Sequence, residues 1–341
     1  MHASTLSTPL DRPLLDPSGF VSPLATFFDA APGLLADTRP GSVAFLGMPS
    51  DATHTSRVGT RYGPRALRQE TRALMRGLRA AGPQGLVDPA TGTRLHLRDP
   101  AGLIDIGDAP LHPSEPKRLT EGIAALTQVV AARGALPVSI GGDHYTSYPA
   151  VLGMSRALAA IRPGARFGFI QVDGHLDFCD HLGAWGHLNH ATNARRTSEL
   201  PNIGRMAWIG VTGWVDGDDV DAIEAQGGLI LSAEDVHRMG AEAAAERALA
   251  HALDGADQVY VTLDIDALDA GFLPGTGSIV HSEITPRQYL ALARVLGAAP
   301  LCGLDMVEVS PPLDPSGRSE RIAARLLQEA LRHHLFEEFA T

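Results

Sequence analysis

Short runs of consecutive apolar residues recur along the chain, and most end in glycine, aspartate or another turn-forming residue. Apolar runs of this length, bounded by turn signals, predict buried strands. They fall at residues 42–47, 103–106, 136–140, 167–172, 207–211, 228–231, 258–263 and 301–305. Between several of them the pattern changes to helical spacing, over 65–81, 117–133, 233–253 and 318–336, with a further helix starting at Thr285. Two helix starts are also written in their capping chemistry. Ser232 with Asp235, and Thr285 with Gln288, each match a capping box, and Pro286 suits a first helical position. A short helix is expected over 24–31, a glycine-rich loop with Arg57 and Arg61 over 51–64, and a turn-rich insertion over 82–93.

Strand and helix alternate through eight strands, which predicts an α/β fold. The expected form is a single three-layer αβα domain around a mostly parallel eight-stranded sheet, because strands apolar on both faces need helices on both sides. Residues 1–40 read as an N-terminal arm and 41–341 as one domain, with no repeat or linker that would divide it. Open parallel sheets bind ligands at the carboxyl ends of their strands. The polar clusters of this chain all fall just after strands.

Composition narrows the function. Apolar content of 44% against 20% charged suits a sizeable core, and a formal charge of −11 argues against a nucleic-acid partner. No apolar run reaches membrane-spanning length, so no membrane partner is expected. Two cysteines make no disulfide framework and no signal-peptide pattern opens the chain, so a cytoplasmic location is expected. Cys302 sits in a strand and reads as core, while Cys179 lacks the neighbours of a thiol nucleophile.

The candidate chemistry centres on Asp173-Gly174-His175-Leu176-Asp177. If the backbone stays extended past residue 172, alternate positions project to one side and Asp173, His175 and Asp177 converge. Asp264 and Asp266 repeat the spacing after the strand at 258–263. Four aspartates in one place repel one another, and cations are the usual remedy. With His175 they suit two divalent ions, which would ionise a bound water near neutral pH. His144, in Gly141-Gly142-Asp143-His144, offers another ligand at the same edge. Glu308 is an acid inside an apolar run, where a lone carboxylate is costly unless it faces a cation. A guanidinium group is a natural partner.

Segments 47–51, 57–64, 141–144, 173–177, 264–269 and 308–312 together resemble, in order, the motifs of the ureohydrolases, the arginase and agmatinase family. The resemblance makes 41–341 a catalytic domain and implies a binuclear site, with Mn2+ as the expected metal and Ni2+ the alternative. One ion would be held by His144, Asp173, Asp177 and Asp264, the other by Asp173, His175, Asp264 and Asp266, so that Asp173 and Asp264 bridge. A hydroxide between the ions would attack the guanidinium carbon of a small guanidino substrate, giving urea and an amine. His190, Glu308 and Asp177 are the candidate catalytic residues: Glu308 anchors the guanidinium, and His190 resembles the proton shuttle, with His187 as the alternative. A homo-oligomer, trimer or hexamer, is implied, and a hetero-oligomer remains open.

Gly174, Leu176, Tyr145, His54, His281, Ser282 and Glu283 depart from the family pattern. They are expected near the pocket mouth and imply an altered substrate, with guanidine, alkylguanidines, guanidino acids and agmatine all open. Arginine is expected to be a poor substrate, because Phe178, Cys179 and Trp185 offer little to its zwitterionic head. Two competing readings are a catalytically silent subunit and a single-zinc deacetylase-like hydrolase.

Overall fold

Nine parallel strands form the central sheet of the computed structural model, which describes residues 25–82, 84–89, 91–98, 102–281 and 284–339. In chain order the strands are β1 (Ala31–Pro32), β2 (Val43–Met48), β3 (Leu86–Val87), β4 (Arg94–Leu97), β5 (Leu103–Asp108) and β6 (Leu136–Gly141). They continue with β7 (Phe167–Val172), β8 (Ile203–Val211), β9 (Leu229–Ser232), β10 (Val259–Asp264), β11 (Leu301–Val307) and β12 (Phe336–Phe339). The central sheet runs β1-β5-β2-β6-β11-β10-β7-β8-β9, and β12-β4-β3 form a small antiparallel sheet.

Alternate strand residues enter two separate cores. Phe45, Ile170, Val172, Val261 and Leu263 face one core, with the helices Gly63–Arg79, Ala241–Ala252, Pro286–Gly297 and Arg318–Ala330. Leu46, Phe167, Phe169 and Tyr260 face the other, with Pro116–Ala132 and Ser147–Ile161. This is the expected three-layer α/β domain. Covering both faces is what allows every central strand to be apolar on both sides.

Four local expectations change. The helix expected over 24–31 is a 3-10 turn, Phe27–Asp29, in which Phe28 and Asp29 take positive φ. Phe27 and Phe28 are fully buried against Phe45, and the Arg68 guanidinium lies 4.3 Å from the Phe27 ring centre. Burying two adjacent aromatic rings wins over continuing a helix, and it brings β1 to the sheet edge as the ninth strand. The helix expected over 233–253 is two, Ala233–Met239 and Ala241–Ala252, because the chain takes φ +92° at Gly240. The insertion at 82–93 contributes β3, and the helix expected over 318–336 stops at Ala330. After a short turn of helix the chain pairs with β4 as β12. Arg332, bonded to Asp88 and Glu338, holds that pairing together. The N-terminal residues 1–24 of the expected arm lie outside the described residues.

Five neighbouring strands, β2, β6, β11, β10 and β7, send their carboxyl ends to one place. Every candidate metal ligand, and Glu308, ends or follows one of them. Among the described residues no helix is long and apolar enough to cross a membrane.

Candidate active site

Each ligand motif begins where its strand ends. β7 stops at Val172, and the next five residues turn rather than stay extended. Asp173 Oδ1 accepts the N–H of His175 at 2.6 Å, and Asp177 takes φ +47°. The convergence of Asp173, His175 and Asp177 therefore comes from a turn, not from strand alternation. β10 behaves in the same way: Asp264 Oδ1 accepts the Asp266 N–H at 2.8 Å as the chain enters a 3-10 turn. Short polar side chains bond their own backbone two residues on, and this tightens the turns.

The structure brings together all six candidate ligands. His144 Nδ1 lies 3.0 Å from Asp173 Oδ2, 2.9 Å from Asp177 Oδ2 and 3.0 Å from Asp264 Oδ2. His175 Nδ1 lies 3.4 Å from Asp173 Oδ1 and 3.2 Å from Asp266 Oδ2. Asp173 thus turns one oxygen to each set. His144 Nδ1 is buried and, despite three carboxylate oxygens around it, makes no hydrogen bond. Donors bound to one ion at right angles, with bonds of about 2.1 Å, stand about 3.0 Å apart. Both the spacing and the orphaned nitrogen fit a divalent cation among these residues.

The electrostatics point the same way. Burial opposes a charged His144, yet contact with Asp173, Asp177 and Asp264 outweighs it and drives its pKa well above the ordinary value. His175 rises too, burial again opposing and Asp266 and Asp173 prevailing. Burial and the neighbouring charges of Asp266 and Asp173 push Asp264 far up, and Asp266 reaches about 7, with burial the largest cause. Four crowded carboxylates demand positive charge, which protons or metal ions can supply.

Outer contacts fix the candidate ligands. Thr262 donates to Asp305, so its oxygen accepts the Nε2–H of His144, and Tyr260 donates to the other oxygen of Asp305. That sets the tautomer and leaves the Nδ1 lone pair facing the carboxylates. Gln171 donates to Asp173 Oδ2 at 2.7 Å, and Asn193 donates to Gln171. None of these supporting residues stands out in the sequence. Their only signal is being polar inside apolar strands, as Thr262, Asp305 and Gln171 are.

Glu308 follows β11 with φ +65°, a backbone state rare for a residue with a side chain. One of its oxygens accepts the His144 backbone N–H at 2.8 Å and the other meets His54 Nε2 at 3.0 Å. Burial disfavours its charge, but the His54 bond and charge prevail and hold its pKa below the ordinary range. His190 is buried beside them, with Thr55 N–H donating to its Nε2. Burial lowers its pKa, so the ring is neutral near pH 7. His187 is exposed, its Nδ1 2.8 Å from the Asp180 carbonyl.

Several residues expected at the mouth are elsewhere. Tyr145 is buried with its hydroxyl on Thr120, Leu176 is buried, and Phe178 packs edge-on against Trp208 beneath Arg195. Each satisfies the core beneath the site. His54 is also buried, against Glu308. Trp185 and His281 are exposed, Cys179 is half-buried, and Ser282 and Glu283 lie outside the described residues. Arg61 pairs with Asp51, and Arg57 donates to the carbonyls of Thr276 and Gly277, so both arginines brace loops.

The sequence model of the arginase family matches residues 41–332. A guanidinopropionase of Pseudomonas aeruginosa is 34% identical over 87% of this chain and 89% of its own length. A mitochondrial guanidino acid hydrolase of Homo sapiens is 32% identical over 84% of this chain and 77% of its own. Among solved structures, proclavaminate amidino hydrolase from Streptomyces clavuligerus superposes with a TM-score of 0.73 at 25% identity, covering 92% of this chain and 99% of that one.

Proposed function

The chain belongs to the arginase family and is a hydrolase of C–N bonds in linear amidines, and from that premise we propose that it releases urea from a guanidino acid or another small guanidino compound. The observation that carries this reading is Asp173, whose two oxygens face two separate donor sets beside the ionised, buried Glu308. A single-zinc hydrolase needs only one set of about four donors, and a silent subunit needs none, so the doubled set favours neither alternative.

In this reading His144, Asp173, Asp177 and Asp264 would hold one ion, and Asp173, His175, Asp264 and Asp266 would hold the other. Bound divalent ions, manganese or alternatively nickel, would supply a water ionised near neutral pH. The protein does the rest. Glu308 pairs with the guanidinium and fixes its carbon over the donor sets, since a carboxylate matches that group through two parallel hydrogen bonds. His190, neutral and close to Glu308, can take up a proton and deliver it to the departing amine nitrogen. Expelling a neutral amine rather than an amide anion is what makes the C–N bond breakable near neutral pH. Guanidino acids are favoured because two of the relatives bear names for that class. Residues 1–40 as an arm on a homo-oligomer belong to the same proposal.

Urea release decides it, measured after loading with manganese and, separately, with nickel. The compounds are guanidine, dimethylguanidine, guanidinobutyrate, agmatine and arginine. At least one of the first four should exceed arginine in kcat/KM. Release from none with either metal would refute the activity, and arginine as the best substrate would refute the reading of the pocket.

A further inference from the structure

The segment Thr53-His54-Thr55-Ser56, in the loop after β2, reaches Asp143, His190 and Glu308. Thr53 donates through both its N–H and its hydroxyl to Asp143. Thr55 meets His190 Nε2 through its N–H and, at 2.7 Å, its hydroxyl. Ser56 donates its N–H to His54 Nδ1 at 3.0 Å. Because Nδ1 accepts, the His54 proton sits on Nε2, and Nε2 donates to Glu308 Oε2 at 3.0 Å. The His54 ring also lies flat on the ring of His190, with centres 4.5 Å apart and planes 13° apart.

One imidazole therefore grips the two groups that the proposed reaction uses apart from the metal donors. It does so from behind, for its side chain is completely buried. The surroundings are shaped to keep it there. A Cβ at Gly277 would come within 2.4 Å of His54 Nε2, so only glycine admits the ring. Ser56 and Arg57 both donate to the Gly277 carbonyl and clamp the two loops together.

We propose that His54 is a positioning residue for hydrolysis, its Nε2–H orienting the Glu308 carboxylate toward a guanidinium group and its ring face setting the plane of His190. The inference rests on the guanidino-hydrolase reading above. With Oε1 held by the His144 N–H and Oε2 by His54, Glu308 cannot rotate, and each oxygen keeps a lone pair for the substrate. Loss of this charge-assisted hydrogen bond frees the carboxylate to turn away from the guanidinium, so it should weaken substrate binding about tenfold or more.

Two substitutions separate the two contacts. His54→Phe keeps a flat ring against His190 and removes the donor. His54→Gln keeps a donor at the Nε2 position and removes the ring. Steady-state urea release is measured for the manganese-loaded wild type and both variants, with metal content and melting temperature alongside. The Phe variant should raise KM about tenfold or more with a smaller change in kcat. The Gln variant should return KM to near the wild-type value and lower kcat. If Phe proves unstable, His54→Ala against His54→Gln makes the same comparison of KM. Equal KM values in wild type, the donor-less variant and Gln would overturn the proposal, as would identical losses in both variants. An inactive wild type would instead overturn the underlying activity, and that outcome is seen before any variant is compared.

Discussion

Thr262 Oγ1 lies 3.1 Å from His144 Nε2 and donates its own hydrogen bond to Asp305. Removing the hydroxyl with Thr262→Val leaves a buried ring N–H without a partner and frees the His144 ring to turn. Such supporting contacts typically set about 10–100-fold in metal affinity. Thr262→Val should lose manganese to a competing chelator at correspondingly lower chelator concentration, and Thr262→Ser should stay close to wild type.

Asp173→Asn addresses both ions at once. Its carboxylate turns one oxygen to each donor set, and the amide removes the charge from both. Metal analysis of the purified variant should find most of both ions gone. Two ions per chain together with normal turnover would end the assignment of Asp173 as a bridge.

The two loop histidines should behave differently. His190 is buried against Thr55 and His54, whereas His187 is more than half exposed. General acid–base groups contribute about 10²–10⁴-fold. His190→Ala should lower kcat within that range and keep its metal, while His187→Ala should stay within a few-fold of wild type. The reverse outcome would transfer the shuttle to His187.

Asp314 gives a pH-dependent prediction away from the metals. Burial works against its charge, but Ser316 and Ser319 donate to it through both backbone and hydroxyl, and its pKa falls from 3.8 to about 2. A carboxyl that titrates lower in the native state stabilises it fully above the unfolded pKa and loses that contribution as pH falls. Asp314→Asn should therefore lower the urea midpoint at pH 7. The gap to wild type should begin to close only below about pH 4. A gap that is unchanged down to pH 2.5 would show that the ionised form is not what stabilises the loop.

The sheet and most of the strand ends that carry candidate ligands were legible along the chain. The apolar runs at 136–140, 167–172, 258–263 and 301–305 became β6, β7, β10 and β11, because a strand buried on both faces is apolar at most of its positions. His144, Asp173, His175, Asp177, Asp264 and Asp266 were legible for the complementary reason. Charge at the end of such a run has no apolar explanation, and these residues do meet at the sheet edge. The capping boxes at Ser232 and Thr285 also form, since they depend only on neighbours three residues apart.

The remaining features depend on partners that are distant along the chain. β1 and β12 are short strands formed by pairing with β5 and β4, and nothing local in residues 31–32 or 336–339 requires it. The candidate ligands converge through turns at Asp177 and after Asp264, which a spacing of two residues cannot distinguish from an extended strand. His54 meets Glu308 across 254 residues of sequence, so this contact could appear only once β2 and β11 were placed on either side of β6. Periodicity and capping act over a few residues and are written in order along the chain. A hydrogen bond between two strand ends depends on sheet order, which packing of both helical layers decides.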